Sequence, residues 1–155
     1  MAKIPDSLRL SASETDELMR NETRLRIATI GPGTEINLTP MTFGWANGLV
    51  YIFGRGQKVV NLRKNATATI LVDVGTSWQK LQGVMMHGRA KVLENNAEED
   101  ADEWLREAQM NLGIKHGLRE KGEVKPYTAS ATGKTRRWIV FKPSTVVSWD
   151  NSKLG

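Results

Sequence analysis

The sequence predicts a mainly β protein: a closed or split barrel of six or seven short antiparallel strands with a few inserted helices. Short runs rich in β-branched residues recur along the 155 residues, and turn signals such as Asn47-Gly48 separate them. Strands joined by hairpins favour a barrel over a doubly wound sheet, in which strands and helices alternate regularly. No repeat or linker interrupts the chain, so we expect one domain over residues 1–155, with residues 1–20 as a helical N-terminal arm.

Local signals place each element of the first half. Ser11 and Glu14 form a capping-box pattern, which predicts a helix over 11–21. Pro40 lies inside a strand-like segment and indicates an edge, a bulge or a bend there. The predicted elements that follow the first helix are strands at 24–31, 36–45 and 49–53, a short helix at 58–64 and a strand at 66–74.

The second half has longer elements. Gly83 and Gly88 are expected to bend a long strand at 81–93. An acidic amphipathic segment predicts one helix over 97–112, with its acidic first turn suited to the helix dipole. The remaining predicted elements are a loop at 113–133, a strand at 135–142 that Pro143 ends, and a last short strand at 144–149.

Composition excludes several classes of site. The chain has no cysteine, which excludes disulfides and thiolate metal sites, and its two histidines lack metalloprotease spacing, so no metal site is expected. No secretory signal and no apolar run of about 20 residues are present. We therefore expect a cytoplasmic protein without membrane contact. The net charge of +5 is compatible with an anionic partner, but taken alone it favours an ordinary solvated surface.

The turn between the strand at 49–53 and the short helix is the strongest candidate site. Its glycines, Gly54 and Gly56, let the backbone approach a ligand, and Arg55 and Lys58 add positive charge. Backbone amides at a helix N-terminus together with nearby cations bind anions. The residues alone therefore predict an anion site at this turn, with an ordinary solvated basic turn as the alternative.

Other constellations are weaker. The five tryptophans do not alternate with basic residues as a stacking platform for nucleic acid does, so we expect them in core and interface packing. His87 lies in an apolar strand and is interpreted as structural. Asp73 and Asp150 have no neighbouring carboxylate in the sequence, so no catalytic residue is assigned.

Four segments occur in a distinctive order. They are RLRIATIG with INLTPMTFGW, NGLVYIFGRGQKVVNLRKNATATILVD, LQGVMMHGRAKVLEN, and RRWIVFKPSTVVSWDNSKLG. Together they cover about residues 20–155 and resemble the pyridoxamine 5′-phosphate oxidase-like superfamily of split β-barrel flavoproteins. More narrowly, they are similar to the branch that includes reductases dependent on the deazaflavin coenzyme F420.

This resemblance implies a homodimer of two barrels packed side by side, with two cofactors in grooves at the interface. Lys58 matches the phosphate-binding lysine of the family, and Gln57 stands where many members have arginine, a role that Arg55 can take. The residues that the resemblance places at the cofactor are Thr39, Pro40, Met41, Tyr51, Ile52, Phe53, Arg55, Gly56, Gln57, Lys58, Asn61, Trp78 and Gln82.

The resemblance also implies an oxidoreductase that transfers hydride between FMN or F420 and an unsaturated or conjugated small molecule. The basic patch and the Ser148-Trp149-Asp150 ending favour F420, while the content of Asn, Lys and Met favours FMN. The alternative is a non-catalytic dimeric barrel that carries or stores flavin or haem. A nucleic-acid-binding barrel ranks last. A pyridoxamine 5′-phosphate oxidase proper is disfavoured because the longer, arginine-bearing C-terminal segment is missing.

Overall fold

A computed structural model describes residues 3–131 and 135–155 of the chain. The α-helices are α1 (Ala12–Asn21), α2 (Gln57–Lys64), α3 (Asn96–Ala101) and α4 (Leu105–Lys115). The strands are β1 (Arg24–Ile30), β2 (Ile36–Thr42), β3 (Gly44–Ala46), β4 (Leu49–Gly54), β5 (Thr67–Val74), β6 (Gln82–Leu93), β7 (Arg119–Glu120), β8 (Glu123–Val124) and β9 (Arg137–Asp150). Residues 1–2 of the predicted arm and 132–134 at the end of the predicted 113–133 loop lie outside the described residues.

Seven of these strands form one antiparallel sheet in the order β2-β1-β5-β6-β9-β4-β3, and β7 pairs with β8 alone. The sheet curls until β2 lies against β4 without a ladder between them. The result is a seven-stranded half-barrel, which confirms the predicted antiparallel split barrel with short helices. None of the helices within the described residues has the length and apolarity that a bilayer crossing requires.

The curl separates two apolar clusters. Strand side chains alternate between the two faces, so Ile27, Ile52 and Phe141 are buried in the core inside the half-barrel. Tyr51 and Trp138 point to the outer face, where α4 covers them. The face assignment of β4, which the sequence left open, is therefore settled: Ile52 faces inward and Tyr51 outward.

Several predicted elements are confirmed with their mechanism. The Ser11 hydroxyl accepts from the Glu14 amide and the Glu14 carboxylate accepts from the Ser11 amide, so the capping box begins α1. Asn47 (φ 49°) and Gly48 (φ 72°) both have positive φ, as a type I′ hairpin requires. Helix α2 follows the basic turn as expected.

The single helix predicted over 97–112 is wrong: the structure has two helices, α3 and α4. The break lies at Asp102, whose Oδ1 accepts from the amides of Trp104 (3.1 Å) and Leu105 (3.0 Å). An aspartate that binds the first free amides of a helix begins a new helix. Helix α4 then continues to Lys115, so the predicted loop at 113–133 starts later and contains the β7–β8 hairpin.

Pro143 does not end a strand, contrary to the prediction, because β9 runs unbroken through it. Gly88 pairs with Pro143 and His87 pairs with Thr145, so Ser144 is an extra residue in β9 and forms a bulge. A bulge is one of the few places in a sheet that tolerates the missing amide of proline. The predicted strand at 36–45 is likewise divided at Phe43 into β2 and β3.

Gly44 lies where α4 crosses β3, and its replacement by alanine tests that contact. A Cβ at Gly44 would lie 2.4 Å from the Ala108 carbonyl oxygen, so the helix must shift. We expect Gly44→Ala to lower the free energy of unfolding by about 1–3 kcal/mol in urea titration. Gly54→Ala is the control, because its Cβ meets only the flexible ends of Lys58 and Met41 at 3.1 Å. Equal losses in both variants would contradict this packing.

Candidate functional site

The basic turn joins β4 to α2 at Gly54–Gln57. Gly56, the N-cap of α2, has φ 87°, a conformation that glycine adopts without strain. No side chain caps this helix. Its first amides therefore point out of the turn without an intrahelical partner, beside the exposed side chain of Arg55. This arrangement is able to bind an anion.

Lys58 reaches back over the turn. Its side chain is 8% exposed, and its Nζ donates to the Arg55 carbonyl at 2.6 Å. Burial, followed by the charge of Arg55, lowers the pKa of Lys58 from its ordinary value. Within the described residues no carboxylate pairs with either cation, so an anion at the turn would supply the missing countercharge.

Farther along α2, the charge of Arg63 is already compensated. Arg63 Nη2 lies 2.6 Å from Glu94 Oε1, and Arg63 Nε donates to Glu94 Oε2 at 2.9 Å. Within the described residues, Arg55 and Lys58 therefore have no carboxylate partner. Arg63, at the other end of the helix, has one.

A buried polar chain supports the turn from below. Gln57 Nε2 donates to Asn61 Oδ1 at 2.7 Å, and Asn61 Nδ2 donates to Thr29 Oγ1 at 3.0 Å. Asn61 is 2% and Thr29 1% exposed. Gln57 and Asn61 line one side of a cavity of about 240 Å³, and Asn37 of β2 lines it as well. Hydrogen bonds in a buried chain of this kind fix the orientation of α2 on β1.

Asn61→Ala tests this chain. The substitution leaves Thr29 Oγ1 and Gln57 Nε2 without their partner, and a buried polar group that loses its partner costs about 1–3 kcal/mol. We expect a loss of that size in the free energy of unfolding, measured by urea denaturation. Gln57→Ala is the control, since Gln57 is exposed and its removal breaks only one bond. A loss in Gln57→Ala as large as that in Asn61→Ala would contradict the buried role of Asn61.

The inner face of β2 carries polar atoms without partners. Asn37 Oδ1 and Thr39 Oγ1 are buried and make no hydrogen bond within the described residues. Such orphan atoms are rare in native proteins and indicate a missing partner. Met41 follows on the same face and packs close to Gly54 and Lys58, whereas the side chain of Pro40 lies on the opposite, exposed face. The donors, acceptors and charges on β2 and α2 thus fit a phosphorylated ligand with a polar ring edge.

The structure places the three predicted residues of β4 elsewhere. Ile52 is 0% exposed inside the half-barrel. Tyr51 is buried under α4, where its hydroxyl donates to Asp102 Oδ1 at 2.7 Å. Phe53 packs on Trp138 with ring centroids 5.1 Å apart. Packing within the described residues already occupies these three side chains, and their contact with a cofactor stays a prediction. Burial, followed by the bond to Asp102, raises the pKa of Tyr51 above its ordinary value.

Trp78 and Gln82 lie at the far end of the sheet from the turn. Thr29, which contacts α2 through Asn61, aligns with Ala68 of β5, whereas Gln82 aligns with Val74. Six strand residues separate these positions, or about 20 Å. Gln82 Nε2 donates to Asp150 Oδ2 at 3.0 Å, and the Trp78 side chain is 63% exposed. One chain does not bring these two residues to the anion site.

Sequence reasoning missed Thr29 and Asn37. The signal was present, because Asn37, Thr39 and Met41 alternate along β2 and so share one face. Antiparallel register then places Thr29 opposite Asn37. The sequence alone does not identify which face looks inward.

Comparisons with known proteins agree with this geometry. The sequence profile of the pyridoxamine 5′-phosphate oxidase family matches residues 12–150. No curated protein sequence matches the chain. Among solved structures, a conserved hypothetical protein from Mycobacterium tuberculosis, Rv2991, has a TM-score of 0.76 at 23% identity, with 99% of this chain and 93% of that chain covered.

Two further solved structures carry ligand names. A FAD-binding protein from Mesorhizobium loti has a TM-score of 0.64 at 18% identity, covering 90% of this chain and 93% of its own. The haem storage protein HutZ from Vibrio cholerae has a TM-score of 0.62 at 12% identity, covering 91% of this chain and 97% of its own. At these identities the likeness concerns the fold.

Proposed function

Since the chain belongs to the pyridoxamine 5′-phosphate oxidase-like split-barrel family, we propose that it binds FMN or F420 at the β4–α2 turn and acts as an oxidoreductase. Its substrate would be an unsaturated or conjugated small molecule. The proposal rests mainly on one observation: Arg55, Lys58 and the free amides of α2 form an anion site that no carboxylate of residues 3–131 and 135–155 neutralises. The FAD-binding name of a structural neighbour supports the same ligand class.

The bound cofactor would supply the hydride chemistry. Arg55 and Lys58 would hold its phosphate, with the α2 amides as additional donors. Thr39 Oγ1 and Asn37 Oδ1 would gain the hydrogen-bond partner that they lack in the structure. Met41, packed beside Gly54 and Lys58, would exclude water from one side of the ligand. No proton donor is assigned, because β2 itself carries no titratable side chain.

We further propose that the site is completed across a homodimer. Gln82 lies about 20 Å along the sheet from the strand position that contacts α2, and we expect the partner chain to supply Trp78 and Gln82 to the cofactor. The outer side chains of β2 offer an interface, since Ile36 is 70% and Leu38 63% exposed, and exposed large apolar side chains in a row indicate a contact surface. Sedimentation at micromolar concentration tests this point, and a monomer would contradict it.

Cofactor binding is tested on freshly purified protein. The absorbance spectrum is recorded first, and FMN, FAD and F420 are then titrated while cofactor fluorescence is followed. We expect saturable binding of FMN or F420, and loss of that binding in an Arg55→Ala/Lys58→Ala variant that remains folded by circular dichroism. Steady-state turnover with the bound cofactor and a panel of conjugated acceptors then tests the enzyme activity. Absence of binding by all three cofactors would reject the proposal.

The second candidate is haem storage without catalysis, which the likeness to HutZ favours. The chain offers two histidines: His87 is half-buried, with Nδ1 2.9 Å from Thr69 Oγ1, and His116 is exposed at the end of α4. A haem absorption band that disappears in His87→Ala or His116→Ala, without binding of any flavin, would favour this function over the first.

A further inference from the structure

A notch opens where the hairpin of β3 and β4 parts from β9. The β4–β9 ladder ends at Val50 and Phe141, while β9 continues along β6 as far as Asp150. The bulge at Ser144 lies in β9 just beyond the end of the β4–β9 ladder. The gap that remains measures about 600 Å³, within the usual range of about 300–1,000 Å³ for ligand pockets.

The notch is lined mainly by apolar side chains. Leu10 comes from the N-terminal arm, Trp45 from β3 and Val146 from β9. Val146 is 49% exposed although its register partner on β6, Met86, is buried. The amide of Leu10 is bound by Ser148 Oγ at 3.0 Å, so the arm is fixed in place as one wall. A preformed apolar cleft of this kind suits an alkyl or aryl chain.

A second cavity adjoins the notch on the outer face of the sheet. It measures about 560 Å³, and Leu49 and Lys142 line both cavities. Arg89 and Lys91 alternate on β6, so both point outward, and Arg89 pairs directly with Lys142 of β9. Like charges placed directly opposite each other destabilise a sheet. Within the described residues none of these three cations has an ion pair or a side-chain hydrogen bond.

Carboxylates from α3 and from the connection between α3 and α4 also border this second cavity. Asp102 is already bound by the Tyr51 hydroxyl and two backbone amides, and Glu98 accepts from the Glu94 amide at 2.7 Å. Glu103 also lines this wall. Lys142, in contrast, lies at the junction with the notch. Three cations and three carboxylates line this cavity, but within the described residues no carboxylate forms an ion pair with Arg89 or Lys142. The unpaired cations Arg89 and Lys142 stand opposite each other, and Lys142 also lines the notch.

We propose that the two cavities form one binding site for an amphipathic anion, a medium-chain carboxylate. Its head group would lie between Arg89 and Lys142, and its chain would pass over Leu49 into the notch beside Trp45 and Val146. The head group of one such anion would relieve the repulsion between the two cations, and its chain would cover the apolar notch. This site is separate from the cofactor turn, because Leu49 and Gly54 stand at opposite ends of β4, about 16 Å apart.

Decanoate, below its micellar concentration at pH 7.5, is the probe. Binding is followed by calorimetry and by the fluorescence of tryptophan, since Trp45 lines the notch and Trp104 the second cavity. We expect saturable binding of decanoate. Decanol lacks the negative charge and should bind at least about tenfold more weakly. Octanoate should bind roughly tenfold more weakly than decanoate, since it buries two fewer methylene groups.

Two variants and a matched control complete the test. Arg89→Ala/Lys142→Ala should weaken decanoate at least about tenfold, and the uncharged substitution Val146→Asn should weaken decanoate and decanol alike. Arg119→Ala/Lys121→Ala removes the same charge from the distant β7–β8 hairpin and should leave binding unchanged. No saturable decanoate binding, equal affinity for decanol, or an equal loss in the control would overturn the proposal. FMN and F420 titrations of the same variants, which should be unaltered, keep this result separate from the cofactor site.

Discussion

Replacement of Lys58 by methionine is expected to weaken the binding of FMN or F420 by about 10- to 100-fold. The substitution keeps the apolar stem that packs over Gly54 and removes only the ammonium group. That group is buried and has no carboxylate partner among the described residues, so a phosphate would gain its full charge-assisted hydrogen bond. Fluorescence titration at two salt concentrations measures the loss of cofactor affinity. The ratio of wild-type to variant affinity should change little with salt, since buried charges are poorly screened.

Lys64→Met is the matched control for Lys58→Met. Lys64 lies on the same helix, is exposed, and ends α2 at the side away from the turn. Its loss should change cofactor affinity less than about threefold at low salt and not at all at high salt. Thermal unfolding of the free proteins checks that both variants fold. Equal affinity of the wild type and Lys58→Met would contradict the assignment of Lys58 to the phosphate.

Replacement of Lys115 by methionine is expected to remove most of the pH dependence of stability between about pH 7 and pH 9.5. Lys115 Nζ donates to the Phe43 carbonyl at 3.0 Å and lies 3.5 Å above the Phe43 ring. Burial lowers the pKa of Lys115 to about 7 from its ordinary 10.5, with the charge of Glu22 acting in the opposite direction.

The sign of the pH dependence follows from the number of protons that the folded and the unfolded chain bind. Below about pH 7 both the folded and the unfolded chain hold the proton, and the full cost of burying the charge is present. Between pH 7 and pH 10 the unfolded chain binds more protons than the folded chain, so stability rises with pH. We expect a gain of about 2–3 kcal/mol from pH 7 to pH 9.5 in the wild type.

Lys115→Met should be more stable than the wild type at pH 7 and should lose this slope. Urea titrations at intervals of half a pH unit provide the measurement. The range stops below pH 10, where the buried hydroxyl of Tyr51 would add a dependence of the opposite sign because its pKa is raised. Lys121→Met, an exposed lysine in the β7–β8 hairpin, is the control and should behave as the wild type. A retained slope in Lys115→Met would contradict the buried cation.

Local rules predicted the elements that local contacts determine. The capping box of α1, the Asn47-Gly48 hairpin and the basic turn before α2 need only neighbouring residues, and all three are present. The predictions at Asp102 and Pro143 were wrong because each residue fits two structures. In the sequence, Asp102 resembles one more acidic residue of an amphipathic helix, and Pro143 resembles the end of a strand. The cap at Asp102 and the bulge opposite Gly88 depend on tertiary contacts that propensity does not contain.

The residues of the candidate site likewise fall into two groups, those that local sequence identifies and those that only the tertiary structure brings together. The turn residues Arg55, Gly56, Gln57 and Lys58 are contiguous, so the sequence alone located them. The buried partners Thr29 and Asn61 come from different elements, and only register and burial bring them together. Whether Tyr51 faces a groove or a helix depends on where α4 packs, which no pattern within β4 reveals.

The position of β9 in the sheet bears on biosynthesis. β9 is the last strand of the described chain, yet it lies in the middle of the sheet, between β6 and β4. Until it leaves the ribosome, the β2-β1-β5-β6 ladder and the β3–β4 hairpin remain two separate pieces with unpaired edges. Such edges recruit other chains. A nascent or truncated chain that lacks β9 should therefore depend on chaperones, and ribosome-bound intermediates arrested before Arg137 should be far more sensitive to protease than the released protein.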